Sequence, residues 1–119
     1  MQDFRKLLVW QKAHELTLAV YRVAKGFPRD ELYGLTAQLR RSASSIPANL
    51  AEGCGRGGDT EFSRFCRIAM GSASELEYHL LLASDLALIK AADHAVLGER
   101  LDEVRAMLSG LLKKLKAVR

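Results

Sequence analysis

Two prolines and nine glycines in 119 residues leave few places where a helix must stop. The two cysteines, Cys54 and Cys66, are twelve apart with no C-x-x-C between them. That excludes a disulfide framework or a cysteine zinc motif and leaves free thiols in a reducing compartment as the expectation. No uncharged apolar run approaches the ~20 residues that cross a bilayer, because the stretch around Leu80 to Ser84 is bounded by Glu77, Asp85 and Lys90. Near the N-terminus, Gln11, Lys12 and Glu15 interrupt the apolar residues before they reach secretory length. The expected location is cytoplasmic. Aromatics are 7% of the chain, with Trp10, Tyr21, Tyr33 and Tyr78 scattered along it, which disfavours base stacking as a recognition mode.

Chemistry-bearing patterns are equally sparse. No Glu-x-x-His occurs, so the paired ligand sets of di-metal bundles are missing, and Glu75 with His79 reads as an ordinary pair four residues apart on one helix. His14, His79 and His94 have no serine or cysteine beside them in sequence that would make a nucleophile pair. The run Gly53-Cys54-Gly55-Arg56-Gly57-Gly58 matches G-x-G-x-x-G, but a helix precedes it where a dinucleotide site needs a strand. Asp59-Thr60 stands where a P-loop needs Lys and then Ser or Thr. A glycine-rich turn between helices is the better reading. The expectation is a non-catalytic protein without metal or cofactor.

What is present is 49% apolar residues in a helical period, enough for one core and one domain over residues 1–119. Val9, Ala13, Leu16, Val20, Val23 and Phe27 mark helix 1, ended by Gly26-Phe27-Pro28. Helix 2 is expected from Arg29 or Asp30, through Leu32, Leu35, Leu39, Ala43, Ile46 and Leu50, to the glycines at 53–58. Pro47 inside it predicts a kink or a break, with Ser44 and Ser45 available for the freed backbone groups. Small residues at Ser42–Ser45, Ala48 and Ala51 would let another helix come close. Helix 3 is expected from an N-cap at Asp59 or Thr60 to Ile89, and helix 4 from a cap at Asp93 along Leu97, Leu101, Val104, Leu108, Leu111, Leu115 and Val118. Short connections make these an all-α, up-and-down antiparallel four-helix bundle. Leu81, Leu82, Leu86, Ile89 and Leu112 widen the stripes beyond one face, and surplus apolar surface of this kind points to self-association.

The net charge of +4 is uneven: residues 1–28 and 98–119 each carry +3, residues 29–67 carry +1 and residues 68–97 carry −3. Arg40, Arg41, Arg56, Arg64 and Arg67 lie in or beside the helix 2–3 connection, and Lys113, Lys114, Lys116 and Arg119 crowd the C-terminus. These are candidate contacts for a polyanion or a partner, although lysines in a last helical turn also offset the helix dipole. Gln38, Arg41, Ser45, Asn49, Glu52 and Arg56 form a polar stripe on helix 2, read either as a solvated face or as a contact between subunits or toward RNA.

Several segments, taken together, resemble one family: Val9-Trp10-Gln11-Lys12-Ala13, Phe27-Pro28-Arg29-Asp30-Glu31, Gly34-Leu35-Thr36, Gln38-Leu39-Arg40-Arg41-Ser42, Ser45-Ile46-Pro47-Ala48-Asn49-Leu50-Ala51-Glu52-Gly53 and Ala69-Met70-Gly71-Ser72-Ala73-Ser74-Glu75-Leu76-Glu77. It is the four-helix bundle family named for proteins encoded in intervening sequences of bacterial 23S rRNA genes. The resemblance runs from about Leu8 to Ile89 and implies a ring-like homopentamer with no established enzymatic activity. The chain is also similar to the accessory bundle protein of diversity-generating retroelements, which works with a reverse transcriptase and nucleic acid. Two functions are expected from this: an oligomeric scaffold whose basic residues contact RNA or an RNA-handling protein, or a protein-interaction module with no nucleic-acid role.

Overall fold

A computed structural model describes residues 3–118, with side chains through residue 116, so Arg119 and the side chain of Val118 lie outside the described residues. Four α-helices make up the fold: α1 (Leu8–Ala24), α2 (Leu35–Gly55), α3 (Asp59–Asp85) and α4 (Ala91–Val118). Short 3₁₀ turns at Phe4–Lys6 and Arg29–Glu31 precede α1 and α2. Each helix packs on its two neighbours in a closed cycle, with the most extensive pairing between α2 and α3. On α2 and α3, Arg41 meets Glu75 and Ser45 meets Ser72, and on α3 and α4, Glu77 meets Arg105 while Ser63 shares a groove with Lys116, so partners run in opposite chain order and these neighbours are antiparallel. No strand occurs among the described residues.

The core is one cluster fed by every helix, with Leu16, Leu39, Ile46, Leu50, Leu76, Leu97, Leu101 and Leu108 among its most buried members. These residues recur at three and four along each helix, so one face of each is dehydrated and the period itself drives the association. Small residues allow α2 and α3 to come close: Ser42, Ala43, Ala69 and Ala73 are fully buried. At Gly53 a β-carbon would stand 2.9 Å from the Cβ of Phe65. The α2–α3 turn holds Gly57 at φ +71° and Gly58 at φ +153°, where side-chain-bearing residues are strained.

Several boundaries differ from the sequence expectation. Helix 2 starts at Leu35, not at Arg29 or Asp30, because the chain is extended at Pro28, makes one 3₁₀ turn and breaks again at Gly34 (φ −107°, ψ −114°). Leu32 is consequently exposed, while Glu31 accepts a hydrogen bond from the backbone N–H of Leu35. Pro47 does not break α2, which is continuous from Leu35 to Gly55. Gly58 occupies the N-cap of α3, with Asp59 inside the first turn, and Asp93 likewise lies in the first turn of α4.

Helix α3 stops at Asp85 rather than at Ile89. Leu88 N–H donates to Ala83 O and Ala87 N–H to Ser84 O, a paired closure that turns the chain through Ala87 at φ +58°. That turn swings Ile89 into the core, and Leu82 and Leu112 pack against it. Of the surplus apolar residues, only Leu81 and Leu86 remain at least half exposed.

Candidate polyanion-binding site

Nine cations are singled out in the sequence, Arg119 lies outside the described residues, and among the other eight the fold separates three from the rest. Arg41 is ion-paired to Glu75, Arg56 to Glu52 and Arg64 to Glu61. Arg40 lies over the ring of Tyr21, with its Nε buried and without a hydrogen-bond partner. Lys114 lines a different opening at the end of the bundle, shared with Gly57, Gly58 and Asp59. Arg67, Lys113 and Lys116 converge instead on one groove of about 500 Å³ between α3 and α4, where Ser63, Met70, Ser109 and Leu112 complete the lining.

The register explains the convergence. Antiparallel α3 and α4 set the turn around Ser63–Met70 beside the turn around Ser109–Lys116, so residues at both ends of the sequence separation share one wall. No carboxylate lines the groove, and among the described residues none of its three cations forms an ion pair. Met70 and Leu112 give it an apolar floor on which long basic side chains can lay their methylenes while keeping their charged heads in water.

The polar stripe of helix 2 is not simply a solvated face, because two of its residues, Arg41 and Ser45, engage α3. Arg41 donates from Nη1 to Glu75 Oε1 (3.3 Å) and contacts Oε2 through Nη2, while Nε and Nη2 also donate to Gln38 Oε1. Ser45 Oγ meets Ser72 Oγ at 2.8 Å, and Asn49 Nδ2 donates back to Ser45. Glu52 and Arg56 stay exposed and pair with each other. The Arg41 bond holds the Glu75 carboxyl below the usual carboxylate range.

One constellation escaped the sequence reading. Ser42 Oγ lies 3.2 Å from His79 Nδ1, and His79 Nε2 lies 3.8 Å from Glu75 Oε2, so a serine, a histidine and a carboxylate stand in line. Folding helices 2 and 3 back on the glycine turn was the signal that would have set Ser42 opposite the 72–79 stretch. The set has no access for a substrate: Ser42 is 0% exposed, and its hydroxyl is directed at the carbonyls of Gln38 (2.8 Å) and Leu39 (3.3 Å). A serine nucleophile must reach its substrate and yield its proton to the histidine. This one can do neither.

Cys54 and Cys66 are both buried and free, and burial pushes the Cys66 thiol up to about 11, away from reactive thiolate character. Among the described residues, no group of three or more histidine, cysteine or carboxylate side chains comes together to hold a metal. No helix among them is long and apolar enough to cross a membrane.

Fold and site together define an all-α four-helix bundle with a polar seam on one flank of α3 and a cationic groove on the other. The chain belongs to the 23S rRNA-intervening sequence protein family, whose model matches residues 5–110. Among solved structures it is similar to a protein of unknown function from the S23 ribosomal protein family of Bacteroides thetaiotaomicron. The two are 25% identical, the match covers 89% of this chain and 99% of that one, and the TM-score is 0.81. No curated protein matches the chain significantly.

Proposed function

We propose that the protein is a non-catalytic, homo-oligomeric helical scaffold that contacts RNA through the α3–α4 groove, with the five-membered ring implied by the family resemblance as its assembly. The observation that carries this reading is the meeting of Arg67, Lys113 and Lys116 in a groove without a carboxylate. Such a site neutralises phosphates and displaces their counterions. It has no aromatic, Asn or Gln in its lining, so contact would be with the backbone rather than with base edges. The family's description refers to 23S rRNA, in keeping with an RNA partner.

Self-association is supported by the outer face of α3 and its C-terminal turn, where Tyr78, Leu81 and Leu86 are each half exposed or more. Apolar surface held in water favours contact with another chain. The alternative, a protein-interaction module in which Arg41 pairs with acidic groups of a neighbouring subunit, is weakened by the Arg41–Glu75 pair within one chain.

Filter binding of a structured RNA at about 50 and about 200 mM salt tests the proposal. With roughly 0.9 counterion released per phosphate, three contacts predict a loss of roughly fortyfold in affinity for each groove engaged. Arg67→Glu combined with Lys113→Glu should abolish retention while light scattering still reports the assembly. Absence of retention at low salt, or binding indifferent to salt, would remove the RNA reading, and a single-copy species by light scattering would remove the scaffold.

A further inference from the structure

The α2–α3 seam contains a buried imidazole whose two nitrogens have different surroundings, and hydrogen-bond accounting fixes their states. Ser42 has one hydroxyl hydrogen, and its 2.8 Å contact to the carbonyl of Gln38 takes it. Toward His79 the hydroxyl can therefore only accept, so Nδ1 of the imidazole carries the proton at 3.2 Å. The Gln38 carbonyl also lies close enough to favour a proton on this ring. Nε2 is left with a bare lone pair, 3.8 Å from Glu75 Oε2. Two acceptors face each other across that gap, and Glu75 is meanwhile held by Arg41.

We infer that His79, Glu75 and Arg41 form an acid-sensing switch, in which proton uptake at His79 Nε2 draws the Glu75 carboxylate away from Arg41 and presents the guanidinium as an additional cation on the exposed face of α2. The proton comes from solvent and no covalent bond changes. Before uptake the three side chains sum to zero charge; afterwards they sum to one positive. The new N–H points at Glu75 and turns an acceptor–acceptor gap into a charge-assisted hydrogen bond. Arg41 is more than half exposed, so the group set free reaches solvent, whereas His79 is 9% exposed.

The charged and titratable groups around the imidazole are Arg41 from α2 and Glu75 and Tyr78 from α3, with Tyr78 tilted against it at 5.9 Å between ring centroids. The Glu77–Arg105 pair joins α3 to α4 instead. Burial holds His79 below the usual imidazole range, with Glu75 opposing that effect, so the switch operates in mild acid. It is independent of the RNA reading, since none of its residues lines the α3–α4 groove.

Imidazole nitrogen NMR on the wild-type chain tests it directly. The Nδ1–H tautomer is expected at neutral pH, with a His79 midpoint below that of free imidazole and an Arg41 Nε–H signal that shifts with the same midpoint. Glu75→Gln should lower the His79 midpoint further and uncouple Arg41 from it. An Nε2–H tautomer at neutral pH, an Arg41 signal indifferent to the His79 titration, an unchanged midpoint in Glu75→Gln, or unfolding of the wild type before His79 titrates would each overturn the inference.

Discussion

The hydroxyl of Thr17 on α1 stands 3.1 Å from the carbonyl oxygen of Ala43 on α2, the acceptor that Pro47 leaves without its usual donor four residues on. The same hydroxyl lies 2.8 Å from the carbonyl of its own Ala13 and shares its hydrogen between the two. A residue from the neighbouring helix, rather than the serines beside the proline, compensates the gap. This is why α2 runs through Pro47 unbroken.

Thr17→Val keeps the side-chain shape and removes the donor, leaving the buried Ala43 carbonyl unpaired, so thermal or urea unfolding should report a loss of about 1–3 kcal/mol. Adding Pro47→Ala restores a backbone N–H for that carbonyl. The double variant should therefore be less destabilised than the two single changes predict, and strict additivity would disprove the coupling.

Gly53→Ala should destabilise the chain although alanine is the better helix former by about 1 kcal/mol. Its new methyl would stand 2.9 Å from Phe65 Cβ and 3.1 Å from Phe62 Cδ1, and the first of these atoms is fixed to the backbone of α3. Overpacking of this kind costs about 1–3 kcal/mol. A melting temperature equal to or above wild type would show that α3 can move away.

Ala87→Gly should act in the opposite direction. Ala87 closes α3 at φ +58°, a conformation that costs a residue with a Cβ about 1–2 kcal/mol and glycine almost nothing. After subtracting the larger unfolded-state entropy of glycine, about 0.5–1 kcal/mol, the variant should be more stable by about 0.5–1 kcal/mol in equilibrium urea unfolding.

Stability should fall in mild acid and again in stronger acid. Burial holds the folded-state His79 below the ordinary imidazole range, so the unfolded chain takes up this proton first. The His79 contribution is complete above the unfolded value of about 6.5 and declines as pH drops below it. Glu75, held low chiefly by its hydrogen bond from Arg41, contributes fully above the unfolded value of about 4.3 and declines as pH falls toward its folded value. Melting temperature followed from pH 8 downward should show the first decline in wild type and a flatter profile in His79→Gln. Equal slopes in that upper window would assign it to another group.

The helices were legible wherever apolar period and backbone agreed, as at Leu16–Val20 in α1 and Leu97–Leu108 in α4. They were misread where spacing continued after the backbone had turned. Leu32 keeps helical register with Leu35 and Leu39, yet Gly34 separates it from them; Ala87 extends the α3 stripe, yet the chain closes there without the glycine that usually marks such a stop. The cations of the groove were all visible as candidates. Which three would meet depended on how α3 registers against α4, and no local pattern around Arg67 or Lys113 encodes that offset. The Ser42–His79 contact, 37 residues apart, follows from folding α2 and α3 back on the glycine turn and not from any pattern beside either residue.

The helices are also unequal: 17 residues in α1 against 28 in α4, or roughly 25 and 42 Å of axis. The last turns of α4, around Leu111 and Leu115, border an open cleft with Leu7, Gly53 and Phe62 on its far side. Amide protons there should trade with deuterium soonest, and the basic groove occupies that same stretch. A bound polyanion would tie the last turns of α4 to α3, so occupancy should register as slowed exchange near Lys113 well before any change in overall shape.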